Sequence, residues 1–85
     1  MSWFLYVIEC VDGSLYTGIT VDVQRRFAAH ASGKGGRYTR SHPPRRIVAV
    51  QAFPNRGTAS SAEHRVKQLS VPAKLHFCSQ NPPPS

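Results

Sequence analysis

The sequence predicts a single α+β domain in which a three-stranded antiparallel sheet is flanked by helices. Three apolar runs with the composition of β-strands lie at residues 3–10, from residue 15 onward and at residues 47–53. Helical periodicity follows the second and the third run. A chain of 85 residues is long enough for one small domain. We expect this domain to cover residues 1–78, and a disordered, proline-rich tail to cover residues 79–85.

The first two runs are joined by Val11-Asp12-Gly13, in which Asp-Gly is a strong hairpin signal. A two-residue loop would send Tyr6 and Tyr16 to opposite faces of the sheet. A three-residue loop with a left-handed Gly13 would bring both tyrosines to one face. Tyr6 would then lie opposite Gly18. We favour this register because a glycine leaves room beside the Tyr6 ring.

The segment after the hairpin is predicted to form a helix. Val23, Phe27 and Ala31 recur at helical spacing, and Thr20 or Asp22 can cap the start. These three apolar residues define the stripe that faces the sheet.

Arg26 and His30 lie side by side at one border of that stripe. A border position allows a half-buried polar surface that faces the tyrosines. The alternative is an arginine in solvent beside a histidine that only packs.

Residues 32–46 are rich in glycine, serine, proline and cations, which predicts mostly loop with one helical turn near residues 37–39. Its cations could bind phosphates while an interleaved tyrosine stacks on a base, although a solvated basic loop is an equal alternative. The Gly33–Gly36 segment lacks the ending of a nucleotide-binding loop. The candidate nucleic-acid ligands are Lys34, Arg37, Tyr38, Arg40, Arg45 and Arg46, with Lys67 farther along the chain.

The first run is almost continuously apolar, so we expect it to be the central strand, paired with residues 47–53 and covered by helices on both faces. Residues 54–57 break the chain before a second helix, which Thr58 or Ser60 could cap. A last short helix is predicted over residues 73–77. The buried stripe of the second helix comprises Ala59, Ala62, Val66, Leu69 and, by extension, Ala73.

Glu63 falls near the border of that stripe, where a carboxylate can reach a cleft. Locally it also fits a capping box, in which it would accept the backbone N–H of Ser60. The other three acids, Glu9, Asp12 and Asp22, make no convincing second carboxylate, which disfavours a two-metal site. His42, His64 and His76 lack the spacing of zinc ligands.

Eleven Lys and Arg against four Asp and Glu give a net charge of +7, which suits a polyanion such as nucleic acid or an anionic membrane face. Cys10 and Cys78 have no ligand spacing and no disulfide framework, so we expect free thiols in a reducing compartment. No signal peptide or apolar span is recognisable. These features favour a cytoplasmic protein without a membrane segment.

Leu5-Tyr6-Val7, Tyr16-Thr17-Gly18 and Arg25 to His30 follow one another in an order and at a spacing that resembles the GIY-YIG endonuclease family in its small stand-alone bacterial form, the UPF0213 group. Leucine replaces the leading glycine of the first triplet and valine follows its tyrosine. Threonine replaces the middle isoleucine of the second triplet. Residues 33–40 and 63–69 extend the resemblance to about residue 77.

The resemblance implies a metal-dependent endonuclease that hydrolyses phosphodiester bonds in DNA, with a role in repair or in processing structured DNA. It implies that Tyr6 or Tyr16 positions or deprotonates the attacking water, with His30 orienting a tyrosine or sharing the base role. Arg26 would hold the scissile phosphate, and Glu63 would bind one Mg²⁺ or Mn²⁺ ion.

The main alternative is a nucleic-acid binding module with this fold and little or no cleavage activity. RNA is a possible ligand, and a protein partner could supply substrate choice. A weaker alternative is a structural protein associated with RNA or with an anionic membrane.

Overall fold

In the computed structural model, which describes residues 2–84, three strands form one antiparallel sheet in the order β2-β1-β3. The predicted α+β class, the central position of the first strand and its pairing with the third strand are confirmed. In chain order the elements are β1 (Trp3–Cys10), β2 (Leu15–Thr20), α1 (Val23–Ala31), α2 (Arg37–Ser41), β3 (Pro44–Phe53), α3 (Arg56–Lys67) and α4 (Val71–Gln80).

The hairpin between β1 and β2 has the three-residue loop. Gly13 has a φ of 86°, and its N–H donates to the carbonyl of Cys10 at 2.9 Å. Tyr6 consequently pairs with Gly18. The favoured register is therefore confirmed, and strand alternation places Tyr6 and Tyr16 on the same face.

The sheet has two different faces. We call one the apolar face: it presents Leu5 and Val7 of β1 with Ala49 of β3, and α3 and α4 contribute Ala62, Val66 and Cys78 to the same cluster. We call the other the tyrosine face: it presents Tyr6, Ile8 and Cys10, against which Val23 and Phe27 of α1 pack. The prediction that helices cover both faces is confirmed.

Several element boundaries differ from the prediction. β3 begins at Pro44, three residues earlier, because residues 44–46 continue the pairing with β1. The N-cap of α3 is Asn55, whose side chain accepts from the N–H of Thr58 at 2.9 Å, so neither Thr58 nor Ser60 caps the helix. Leu69 lies beyond α3 and is exposed.

The apolar stripe of α1 is also rotated relative to the prediction. Asp22, one of the two predicted capping residues, is the N-cap of this helix. However, Ala31 is exposed, whereas His30 is 1% exposed and is the buried residue of the last turn. The histidine belongs to the protein interior rather than to a half-buried border.

The last helix is longer than predicted, since α4 runs from Val71 to Gln80 and includes residues 79 and 80 of the expected tail. Asn81 also contacts the sheet, because its carbonyl accepts the N–H of Val50 at 3.0 Å. Ser85 lies outside the described residues, and the domain boundary at residue 78 stays a prediction. Within residues 2–84 no helix combines the length and apolarity needed to cross a bilayer, and both cysteines are buried free thiols.

Candidate active site

A chain of three buried polar groups crosses the tyrosine face. The Tyr6 hydroxyl lies 3.0 Å from Nε2 of His30, and Nδ1 of the same ring lies 2.7 Å from Oγ1 of Thr39. The three residues are supplied by β1, α1 and α2 respectively, and each is at most 2% exposed. Both ring nitrogens of His30 are therefore engaged within the protein.

Two glycines make room for this chain. A Cβ at Gly18 would lie 2.5 Å from the Tyr6 hydroxyl oxygen and 2.7 Å from Cζ, so the Tyr6 ring occupies the space that any side chain there would need. A Cβ at Gly35 would collide with the His30 ring. These glycines are needed for close approach rather than for backbone conformation.

Tyr16 lies beside the chain on the same face. Its ring centroid is 6.3 Å from that of Tyr6 and 5.0 Å from that of His30, with an edge-on arrangement toward the histidine. Tyr16 is half-buried, and its hydroxyl forms no hydrogen bond with the other described residues. This hydroxyl is thus free to contact a ligand.

Arg26 is held at the edge of the cluster. Its Nη2 donates to the carbonyl of Gly35 at 2.9 Å, and the side chain is half-buried. One hydrogen bond leaves most of the five guanidinium N–H groups available. Such a fixed, partly desolvated arginine is suited to binding a phosphate.

The electrostatics of the chain keep its members neutral. Burial raises the pKa of Tyr6 to about 12, and the guanidinium of Arg26 opposes this shift only in part. Burial lowers the pKa of His30 below its ordinary value, and Arg26 lowers it further. Near pH 7, Tyr6 consequently keeps its proton and His30 carries only one.

Glu63 belongs to the helix that packs on the apolar face, and its charge acts on Tyr6 of the other face. It lies on α3, which contacts both β1 and β2, and its carboxylate is one of the groups that raise the pKa of Tyr6. Its side chain is 21% exposed and lies 3.3 Å from Nζ of Lys67. Because α3 begins at Arg56, the capping box with Ser60 does not form, and the structural role left to Glu63 is its ion pair with Lys67 one turn later.

The predicted nucleic-acid ligands are divided between several surfaces. Tyr38 of α2 stacks against Tyr16 with ring centroids 5.6 Å apart. Arg46 pairs with Glu9 at 2.9 Å beside the α4 residues Leu75 and Cys78, and so belongs to the apolar face. Lys67 is engaged by Glu63. The remaining cations, Lys34, Arg37, Arg40 and Arg45, are exposed.

A model of the GIY-YIG catalytic domain matches residues 2–76. The chain belongs to the GIY-YIG family. Two relatives are named UPF0213 proteins: one from Cupriavidus pinatubonensis is 50% identical over 78 residues, covering 92% of this chain and 87% of its own. The other, from Streptococcus pneumoniae serotype 4, is 45% identical over 78 residues, covering 92% of this chain and 79% of its own.

A solution NMR structure of a UPF0213 protein from Bacillus halodurans is 48% identical and matches with a TM-score of 0.62, covering 99% of this chain and 89% of that one. The resemblance recognised in the two triplets is therefore confirmed. GIY-YIG domains form a nuclease family, and their members generally use divalent metal ions.

The potential metal ligands of this GIY-YIG domain are dispersed among the described residues. Within residues 2–84 no group of three or more His, Cys, Asp or Glu side chains is close enough to hold an ion. Mg²⁺ keeps several waters and is commonly bound by one or two carboxylates together with substrate phosphates. The partly exposed carboxylate of Glu63 fits that mode, and it does not fit a cage built from protein ligands alone.

Sequence reasoning missed two residues of this GIY-YIG domain that contact the site. Thr39 hydrogen-bonds His30, and His42 stacks on Tyr38 with ring centroids 4.3 Å apart. His42 also binds Asp12 in the β1–β2 turn at 2.6 Å. Hydrogen bonds from Ser14 and then from His42 hold the pKa of Asp12 well below its usual range. No sequence signal placed α2 here, because its position depends on the turn at residues 33–36.

Proposed function

We propose that this protein is a metal-dependent endonuclease that hydrolyses phosphodiester bonds in DNA, and that it acts in repair or in processing structured DNA. The observation that carries the proposal is the convergence of Tyr6, Tyr16 and His30 with the guanidinium of Arg26 at one face of the sheet. Binding alone would not require a buried hydrogen-bonded chain at this place. We also propose a cytoplasmic location, because two free cysteines are typical of a reducing compartment.

Arg26 is the group that would hold the scissile phosphate. Hydrolysis of a phosphodiester develops negative charge on the phosphoryl oxygens, and a fixed guanidinium stabilises this charge without reorganising during the reaction. The hydrogen bond to the Gly35 carbonyl fixes its position in advance. The remaining N–H groups can form a two-point contact with the phosphate.

Of the three residues Tyr6, Tyr16 and His30, Tyr16 is the one whose polar group forms no hydrogen bond with the rest of residues 2–84, so it is our candidate for contact with the attacking water. Tyr6 is less suited to remove a proton, because its pKa of about 12 keeps it protonated. His30 is less suited because both its ring nitrogens already have partners. We therefore assign contact with the water to Tyr16, hydrogen-bond donation to Tyr6 and orientation of Tyr6 to His30.

Glu63 would hold a single Mg²⁺ or Mn²⁺ ion together with oxygens of the substrate. A bound divalent ion would supply positive charge for the leaving oxygen and would lower the pKa of a coordinated water. The Lys67 ammonium, 3.3 Å from the carboxylate, neutralises Glu63 before any ion arrives. It must move aside or pair with a phosphate when the substrate binds.

The alternative function is a nucleic-acid binding module with little or no cleavage activity, for RNA as well as DNA. The exposed cations Lys34, Arg37 and Arg40 favour it as much as they favour a nuclease, since phosphate contacts position any nucleic acid. A protein partner could then supply the choice of substrate. The nuclease needs Arg26 and Glu63 for cleavage, whereas the binding module does not.

The decisive experiment uses a panel of single-stranded, duplex, flapped and branched DNAs with matching RNAs, each with Mg²⁺ or Mn²⁺. We expect the parent protein to cleave at least one DNA. Arg26→Ala and Glu63→Gln should each slow cleavage by about a hundredfold or more and change affinity much less. The matched controls are Arg25→Ala, the exposed neighbour on α1, and Glu9→Gln on the apolar face.

If neither metal supports cleavage of any substrate, or both active-site variants cleave as fast as the parent, the endonuclease proposal fails and the binding module replaces it. Equal losses in the control variants would show a general charge effect instead of a role at the reacting phosphate.

A further inference from the structure

The Thr39 hydroxyl is buried against His30. Thr39 is 2% exposed, and the contact of Oγ1 with Nδ1 at 2.7 Å is the single hydrogen bond of this hydroxyl among residues 2–84. The family motif residues described above do not include it. Its position on α2 depends on the close approach of Gly35 to the His30 ring.

A neutral imidazole has one N–H and one acceptor nitrogen, so the chain of hydrogen bonds can run in either of two directions. In one direction, Thr39 donates to Nδ1, Nε2–H donates to the Tyr6 oxygen, and the Tyr6 O–H is free. In the other direction, Tyr6 donates to Nε2, and Nδ1–H donates to Thr39. The Tyr6 hydroxyl accepts a hydrogen bond from His30 in the first direction and donates one to His30 in the second.

The surroundings of Thr39 distinguish the two directions. If Thr39 accepts from Nδ1–H, its own hydroxyl proton is left without an acceptor in a site closed to water, which is unfavourable. If Thr39 donates to Nδ1, the one hydrogen left over is the Tyr6 O–H, which lies beside the half-buried guanidinium of Arg26, where water or a phosphate oxygen can accept it.

We infer that Thr39 is a positioning residue: by donating to Nδ1 it fixes the proton of His30 on Nε2 and directs the Tyr6 O–H toward the substrate phosphate. This inference rests on the proposed function for its consequence in catalysis, but the direction of the hydrogen bonds is independent of it. Tyr6 then accepts from His30 while donating to a phosphate oxygen. No proton is transferred along the chain in this arrangement.

The direction is tested by ¹⁵N NMR of the His30 imidazole, whose two nitrogens have distinct shifts when one is protonated. We expect the proton on Nε2 in the parent protein. Thr39→Val keeps the shape of the side chain and removes the donor, so both tautomers should become populated. Thr39→Ser keeps the hydroxyl and should restore the parent spectrum. Ser41→Ala, which removes an exposed hydroxyl from the same helix, is the matched control.

Cleavage kinetics give the second measurement. We expect Thr39→Val to lower kcat by about tenfold with KM changed less than about twofold, and Thr39→Ser to recover most of the loss. A purely structural threonine would change stability without changing the His30 tautomer. Unfolding in urea is therefore recorded for each variant.

A parent protein with the His30 proton on Nδ1 overturns the inference, as does a Thr39→Val variant whose tautomer and kcat both match the parent. A changed tautomer with unchanged kcat also overturns it, because Tyr6 would then not depend on its orientation. If the parent cleaves no DNA but carries the proton on Nε2, the nuclease proposal fails while the assigned direction stands.

Discussion

The two faces of the sheet are built from alternating residues of the same strand, yet they bury different chemistry. On the apolar face, Leu5 and Val7 pack with aliphatic and small side chains of α3 and α4. On the tyrosine face, Tyr6 is equally buried but is hydrogen-bonded to His30. Alternation along β1 thus separates a face that stabilises the fold from a face that positions polar groups.

The comparison shows where such a small domain can place a functional site. Buried polar groups contribute little net stability even when they are paired, whereas buried aliphatic side chains contribute most of it. A strand with helices on both sides lets one face carry the polar chain while the other holds the domain together. Variants on the two faces should therefore have opposite consequences.

The largest expected effect is on the apolar face. Leu5 is fully buried, so Leu5→Ala should lower the free energy of unfolding by about 3 kcal/mol through lost transfer energy and a cavity. The folded fraction should cleave DNA at the parent rate. Tyr6→Phe should cost only about 1 kcal/mol, because one hydrogen bond is lost, and should slow cleavage by about tenfold or more.

Urea unfolding and cleavage rates normalised to the folded fraction separate these outcomes. Leu5→Val, with an expected cost of about 1 kcal/mol, provides the measurement if Leu5→Ala does not fold. A Leu5 variant that folds but loses activity as Tyr6→Phe does would contradict this prediction, since both faces would then control the site.

The second effect tests whether Gly18 serves the tyrosine face. In Gly18→Ala the new Cβ would meet the Tyr6 hydroxyl, which is held by His30 and cannot swing away. We expect a loss of about 1–3 kcal/mol in stability and cleavage slowed by at least about tenfold. Gly57→Ala is the control, because its Cβ would be 3.4 Å from the nearest atom and the position is exposed in α3. Parent-like activity in Gly18→Ala would show that the site does not need a glycine at this position.

Much of this arrangement could be predicted from local sequence. Asp12-Gly13 and the need for space beside Tyr6 selected the right hairpin register, because turn chemistry and strand alternation are both local properties. The stripe of Ala59, Ala62 and Val66 identified the buried side of α3 for the same reason.

The remainder depended on contacts between distant segments. His30 is buried because Tyr6 and Thr39 hydrogen-bond it, and neither neighbour can be read from the periodicity of α1. The start of α3 was predicted too late because Asn55 competes successfully with Thr58 and Ser60 as the N-cap. The roles proposed for Arg26 and Glu63 rest on the resemblance to the GIY-YIG family, since local spacing left a structural alternative for each.

The smallest expected effect concerns Thr17, a buried polar residue on the apolar face. Thr17 pairs with Val7, is 3% exposed, and its Oγ1 has no hydrogen-bond partner among residues 2–84. Thr17→Val keeps the shape and removes an unpaired buried hydroxyl, so stability should rise by about 1 kcal/mol. The contrasting variant is Thr58→Val, whose hydroxyl bonds Asn55 at the start of α3 and whose loss should cost about 0.5–1 kcal/mol. Urea unfolding measures both. A destabilised Thr17→Val would mean that this hydroxyl has a partner in solution, and the apolar face would then share the polar character of the tyrosine face.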